Sequence, residues 1–129
     1  GTWPTLQEMV DTSKQVVVVS DVEGGERPWL HPLWSLAWET HWSNDYKEDF
    51  TCDKNRGAVT HDLFILNHFL TRPLANPRYA EEVNHNPYLL ERAQECEQKF
   101  GHIPNFVTVD FYSIGDVLGV VDSLNGVAP

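Results

Sequence analysis

Basic residues are scarce in this chain: 9 Lys and Arg stand against 19 Asp and Glu, for a formal charge of -10. A surface that acidic disfavours nucleic acid and anionic membranes as bulk partners, while a local pocket can still hold a lipid headgroup. No apolar run approaches the length needed to cross a bilayer. No signal peptide, lipidation motif or Asn-x-Ser/Thr sequon is visible. The chain opens at Gly1 as if in the middle of a domain, which is compatible with a leader removed earlier. Cysteine occurs only at Cys52 and Cys96, too far apart for a CxxC motif, so a zinc ribbon or a redox motif is disfavoured. The pair is read as a structural disulfide, with two buried thiols as the other reading. Such a bridge is worth about 4 kcal/mol in the chain-entropy picture and implies an oxidising compartment. Also missing are GxSxG, P-loop and GxGxxG signatures. His31, His41, His61, His68, His85 and His102 show no HxxxH or HxH spacing, so no metal centre is expected. Asp45, Glu48, Asp49 and Asp53 cluster without the order of an EF-hand and read as a solvated face.

What is present argues for one folded domain. The 129 residues suffice for a core, and 41% of them are apolar, too many for a disordered chain. Thr5-Leu6-Gln7-Glu8 fits a capping box that starts a helix with Leu6, Met9 and Val10 as its apolar stripe, ending at Ser13-Lys14. Gln15-Val16-Val17-Val18-Val19-Ser20 is a continuous apolar run that suits a strand buried on both faces, as in parallel sheets. Residues 26–61 carry four Trp without a clean period. Trp34 and Trp38 allow a short helix, and the remainder reads as a long loop around Cys52. Residues 62–69 read as a second buried strand, and Arg78 to Val83 as a short helix. Asn86-Pro87 has the chemistry of an N-cap and first-turn proline for a helix through Leu89, Leu90, Ala93 and Cys96 that Gly101 ends. A last strand covers 105–112, and Ser113 caps a final helix bearing Ile114, Val117, Leu118 and Val121. No internal repeat interrupts this order. The alternation predicts an α/β fold with parallel strands, and the chain is about half the length of a closed β/α barrel of roughly 250 residues.

In such architectures chemistry gathers where strands end. Asp21, Asn67, His68 and Asp110 stand at the ends of the three predicted strands. Side chains alternate along a strand, so Phe106, Thr108, Asp110 and Tyr112 share one face while Val107, Val109 and Phe111 face the helices. Asp110 is the strongest candidate, because the apolar pair Phe111-Tyr112 follows it and the chain has not yet turned. A carboxylate in that place orients a histidine or arginine, or binds a metal, and His68 is a candidate partner by composition.

Taken in order, Trp3-Pro4-Thr5-Leu6-Gln7-Glu8-Met9, Gln15 to Asp21, Asn67-His68-Phe69, Pro104 to Tyr112, and Leu124-Asn125-Gly126 resemble the C-terminal half of the phosphatidylinositol-specific phospholipase C (PI-PLC) X-domain-like family, secreted microbial type. The resemblance spans essentially the whole chain. It implies the C-terminal half of a distorted TIM-like barrel, completed by an N-terminal half in a second chain or by a copy of itself. It further implies cleavage of the phosphodiester between diacylglycerol and an inositol headgroup, with two histidines as general base and acid and an arginine on the phosphate. In the family those three residues belong to the N-terminal half, and His68 matches none of them. Asp110 matches the late-strand aspartate that orients one catalytic histidine, while Asp21, Asn67, His68 and Tyr112 are pocket candidates for the headgroup by strand-end position. Members differ in calcium use, and the calcium ligands of those that use it would sit largely outside this chain; the chain itself supports no cofactor. A secreted location follows from the same resemblance. The alternative is a non-catalytic interaction or assembly module on this scaffold, with the Trp-rich 29–42 segment as an interface; a small-molecule-binding protein of another α/β family is the third reading.

Overall fold

A computed structural model describes residues 3–127. Helix α1 (Leu6–Asp11) starts with the predicted capping box: the Thr5 hydroxyl accepts from the Glu8 amide at 3.2 Å, and the Glu8 carboxylate accepts from the Thr5 amide at 2.7 Å. The valine run contributes β1 (Val18–Ser20), which pairs in parallel with β2 (Leu30–Pro32). It is not buried on both faces as expected: Val16 is 81% exposed and Val17, Val18 and Val19 remain partly open. The reason is that β1 has one short neighbour and no covering layer among the described residues. The stripe of α1 is open too, Leu6 being 81% exposed.

The segment read as a long loop holds the centre of the fold. A 3-10 turn (Leu33–Ser35) leads into β3 (Ala37–Thr40), a further 3-10 turn (Lys47–Asp49) follows, and β4 (Lys54–Gly57) returns beside β3. All four residues of β3 are buried. Trp38 is therefore a strand residue, not a helical one, and its ring stacks on Phe64 with centroids 4.0 Å apart. Strand β5 (Leu63–Asn67) and strand β6 (Phe106–Thr108) complete a sheet ordered β4-β3-β5-β6. Strands β3, β5 and β6 run parallel, with Trp38 level with Phe64 and Leu66 level with Val107; β4 is antiparallel. The fold is thus mixed α/β rather than purely parallel, and the described strands do not close into a barrel.

Helices cover one face of that sheet. Asn76 caps α2 (Pro77–Val83), accepting from the Arg78 amide at 3.0 Å. Helix α3 (Tyr88–Phe100) has Pro87, not Asn86, at its N-cap position and no side-chain cap there; it ends at Gly101, whose φ of 84° is the left-handed conformation expected of that cap. Cys96 on α3 is bonded to Cys52, fixing the helix to the sheet beside Trp38, Phe64 and Leu66. The last helix, α4 (Val117–Leu124), starts four residues after Ser113, so Ser113 is not its cap. Residues 111–116 form a turn instead, with Phe111 at a φ of 51°. Gly115 sits there at a φ of 87°, against the Asn84 carbonyl, where a Cβ would have no room.

The strand expected over 105–112 is cut short at Thr108, the chain already bends at Asp110, and Phe111, expected to face the helices, is 41% exposed; the alternation holds only through Val109. Val107 and Val109 pack with Leu89, Val117 and Val120 of the helical layer, and Phe106 is 51% exposed on the opposite face. That opposite face is open. Val17, Val19, Leu33, Leu63 and Phe106 line an apolar cleft of about 540 Å³ toward the amino ends of the strands.

Candidate polar site at the carboxyl ends of the strands

The parallel register brings Thr40, Asn67 and Thr108 to a common edge. One residue inside it, Glu39 points to the open face because its neighbour Trp38 points to the helices. Its carboxylate is nearly fully buried and receives three donors: the Arg56 Nε at 2.6 Å, the Asn55 amide at 2.9 Å and the Asn67 amide at 2.9 Å. Asn67 also donates to the Thr40 carbonyl at 2.8 Å. Arg56 lies on β4 directly across from this stretch of β3, half exposed, with its guanidinium 4.3 Å above the Trp34 ring. It reaches Asp21, just past β1, at 3.5 Å. The hydrogen bond that Arg56 donates to Glu39 first, and then the charges of Glu39 and Asp21, hold the Arg56 proton more firmly than usual. Four side chains from four strand regions thus form one chain: Asp21, Arg56, Glu39, Asn67.

This arrangement unites two of the sequence candidates, Asp21 and Asn67, through two residues that the sequence reading passed over. Arg56 and Glu39 lay in the segment taken for loop, and only the cross-strand pairing of β3 with β4 reveals them. Glu39 and both amide hydrogens of Asn67 are taken up inside the set, so the groups left open to solvent are the outer side of the Arg56 guanidinium, a donor, and the Asp21 carboxylate, an acceptor.

Asp110 follows β6 at the same edge, half-buried, and its backbone carbonyl accepts from the Asn84 side chain at 2.9 Å. Asn84 is itself fully buried and its carbonyl receives the Asp116 amide at 2.8 Å, so one residue ties down the whole turn that carries Asp110. Tyr112 lies farther out, 71% exposed.

His68 is placed elsewhere. Since Asn67 faces the open side, the next residue turns to the helices. His68 is fully buried, its Nε2 donates to the Val83 carbonyl at 2.9 Å, and its Nδ1 accepts from Arg92 at 3.0 Å. Phe50 stacks on the ring at 4.6 Å. Burial, and then the Arg92 cation, push this imidazole down to about 3, so it is neutral at ordinary pH. Arg92 spans the sheet to the loop before β4, donating to the carbonyls of Asn67 at 2.7 Å and Thr51 at 3.0 Å. Burial lowers it to about 10. The pair braces the fold behind the site, and His68 is no partner for Asp110.

The acidic cluster is dispersed. Asp49 receives the Asp45 and Tyr46 amides, and Asp53 pairs with Lys99 at 2.7 Å. Among the described residues, no three His, Cys, Asp or Glu side chains are gathered to hold a metal ion.

An α/β sheet with helices on one face and polar residues collected at the carboxyl ends of its parallel strands belongs to the class whose ligand sites lie on that edge. The particular family is then settled by comparison with known proteins. The PI-PLC X 1 family model matches residues 1–125, and the chain belongs to that family. It is similar to an uncharacterized secreted protein of Arthroderma benhamiae, 29% identical over 92% of this chain and 31% of that protein. It is also similar to PI-PLC X domain-containing protein 1 of the same organism, 26% identical over 98% of this chain and 46% of that one. A PI-PLC X domain-containing protein of Arabidopsis thaliana is 25% identical over 96% of this chain and 31% of its own length. The chain therefore spans between about a third and just under half of the length of these relatives. No solved structure matches it.

Proposed function

We propose that this chain forms the C-terminal half of a TIM-like β/α barrel and serves a phosphoric diester hydrolase that cleaves an inositol-type phosphodiester lipid. The observation that carries this reading is the hydrogen-bonded set Asp21, Arg56, Glu39 and Asn67, built at the strand-end edge of a PI-PLC X family member. The two histidines for general base and acid chemistry, and the phosphate arginine, come from outside these residues, from an N-terminal half on another stretch of polypeptide, a second chain or a second copy. Asp110 orients one of those histidines by accepting from its ring, which fixes the tautomer and supports the imidazolium as charge develops. Asp21 and Tyr112 face the inositol hydroxyls, joined by the half-exposed Arg56, while Glu39 and Asn67 hold that guanidinium in place from behind. His68 has no part in this site. This chain supplies no cofactor ligands to the reaction, and its acidic surface disfavours nucleic acid as a partner. The disulfide and the secreted relative support an extracellular location.

A second reading has an observation of its own. The open apolar cleft lined by Val17, Val19, Leu63 and Phe106 is a surface for another polypeptide, and among the described residues no histidine joins the polar set. On that reading the chain is an assembly module.

Native mass spectrometry of the purified chain, followed by an assay for soluble inositol phosphate released from phosphatidylinositol, separates the two. A histidine-bearing partner and release that Asp110→Asn abolishes support the hydrolase. A stable assembly that releases nothing supports the module.

A further inference from the structure

Helix α3 is joined at several points to the segment that leads into β4. The Tyr88 hydroxyl donates to the Lys47 carbonyl at 2.9 Å, and Arg92 donates to the Thr51 carbonyl at 3.0 Å. Cys96 is bonded to Cys52, and Lys99 pairs with Asp53 at 2.7 Å. Positions 88, 92, 96 and 99 follow the helical repeat, so these side chains form a single stripe of α3. Residues 47–53 are thereby laid along the helix, and the chain enters β4 from a fixed place. Arg56 lies on that strand, just beyond its start.

Among the described hydrogen bonds, Arg92 is the member of the stripe that also reaches β5. Its Nη1 donates to the Asn67 carbonyl at 2.7 Å and to the His68 Nδ1 at 3.0 Å, while its Nη2 serves Thr51. The residue is 5% exposed, with its guanidinium 4.3 Å from the Phe50 ring centroid, behind the sheet and away from the open face. The guanidinium is a rigid planar fork, so it sets the distance between the end of β5 and the root of β4. Those two places carry the two sides of the polar set. The Asn67 side chain holds Glu39, and Glu39 takes Arg56 at 2.6 Å. Arg56 is half exposed and has rotamers to lose. Its guanidinium stays on Glu39 only while the two strands keep their spacing.

We propose that Arg92 is the positioning residue of the polar site: acting through Asn67 and Thr51, it holds the outer side of the Arg56 guanidinium where a ligand meets it. The inference deepens the hydrolase reading and rests on it for what Arg56 binds, though not for what holds Arg56.

The test follows the Arg56 Nε–H by NMR hydrogen exchange in the intact chain, beside its affinity for soluble inositol phosphate. Arg92→Lys keeps the charge and loses the fork. Exchange at Arg56 should quicken about tenfold, roughly the protection given by one hydrogen bond. Affinity for inositol phosphate should fall by about tenfold as the guanidinium strays. Two controls separate positioning from general loosening. Val120→Ala opens a cavity in the α4 packing and should lower the urea midpoint without moving the Arg56 signal. Tyr88→Phe cuts the tie at Lys47, which touches neither strand, and should leave that signal as it is. Unchanged Arg56 exchange in folded Arg92→Lys, or equal quickening in Val120→Ala, overturns the proposal. Should Arg92→Lys not fold, exchange of the unaltered chain in rising urea decides. Arg56 must open in every step that frees the Arg92 protons, and an Arg56 still protected after Arg92 has opened overturns the proposal. Inositol phosphate binding that Arg92→Lys leaves undiminished also overturns it, with the hydrolase reading left standing. Quickened exchange in a chain that binds no inositol phosphate upholds the hold on Arg56 and sinks the headgroup reading.

Discussion

Asn67 on β5 donates its side-chain amide to Glu39 on β3 at 2.9 Å, and the same carboxylate takes the Arg56 guanidinium at 2.6 Å. A nearly buried anion with three donors is a committed part of the fold. Glu39→Gln keeps the shape but removes the charge, and one amide would then meet another N–H. The expected cost is about 2 kcal/mol, read as a lower urea midpoint. A change below about 0.5 kcal/mol would mean that the set is solvated and not organised.

Asn84 holds the turn that carries Asp110. It donates to the Asp110 carbonyl at 2.9 Å and accepts from the Asp116 amide at 2.8 Å through its own backbone. Asn84→Ala removes the first bond and keeps the second, with a cost of about 1.5 kcal/mol. Hydrogen exchange should quicken locally across 110–116. Unchanged exchange there would show that the turn is held by Gly115 and the backbone alone.

Asp110 itself is predicted to matter for turnover rather than for folding. Its carboxylate has no side-chain partner among the described hydrogen bonds, so Asp110→Asn should leave the thermal midpoint within a degree or two. In the complete assembly, diester cleavage should fall by two orders of magnitude or more, roughly the scale of general acid-base help. An unchanged rate refutes the orienting role.

The buried imidazole of His68 makes stability depend on pH in a defined direction. Folded, it protonates at about 3; its ordinary value is 6.5. Between those values the unfolded chain takes up a proton that the folded chain refuses. Stability from this group is therefore full above about pH 6.5 and declines as pH drops toward about 3, by up to about 1.4 kcal/mol per pH unit. His68→Gln should flatten that decline between pH 6.5 and 4.5, whatever it costs at neutral pH. Parallel pH profiles for both proteins would contradict this account.

Cys52 and Cys96 close a loop of 44 residues in sequence separation. Replacing both with Ala should lower stability by about 4 kcal/mol, measured by denaturant unfolding without reductant. The loss should match that of the reduced parent. A much smaller loss would mean that packing of α3 on Trp38 and Phe64 holds the helix without the bond.

How far the sequence alone carries depends on the range of the forces involved. The Thr5 to Glu8 box, the Gly101 cap and the Val107/Val109 alternation are local, set by chemistry within a few residues, and they appear in the structure where they were expected. Asp21 and Asn67 were legible as strand-end polar residues. Their union was not, because it runs through Glu39 and Arg56, separated by 17 positions and joined only by the antiparallel return of β4.

Tertiary contacts also decided what periodicity could not. Trp38 looked like one turn of helix with Trp34 but became a central strand residue, since the sheet buries it completely against Phe64. The valine run looked doubly buried and lies open, because burial depends on neighbours and not on the run itself. Asn67 and His68 looked equivalent at a strand end, yet adjacent residues face opposite sides of a sheet, and pairing of β5 between β3 and β6 chose which side each would take. The sequence by itself determined the Thr5 and Gly101 caps, the Val107/Val109 alternation and the family; the tertiary structure alone decided which polar groups meet, because hydrogen bonds between distant strands are fixed by register and not by order in the chain.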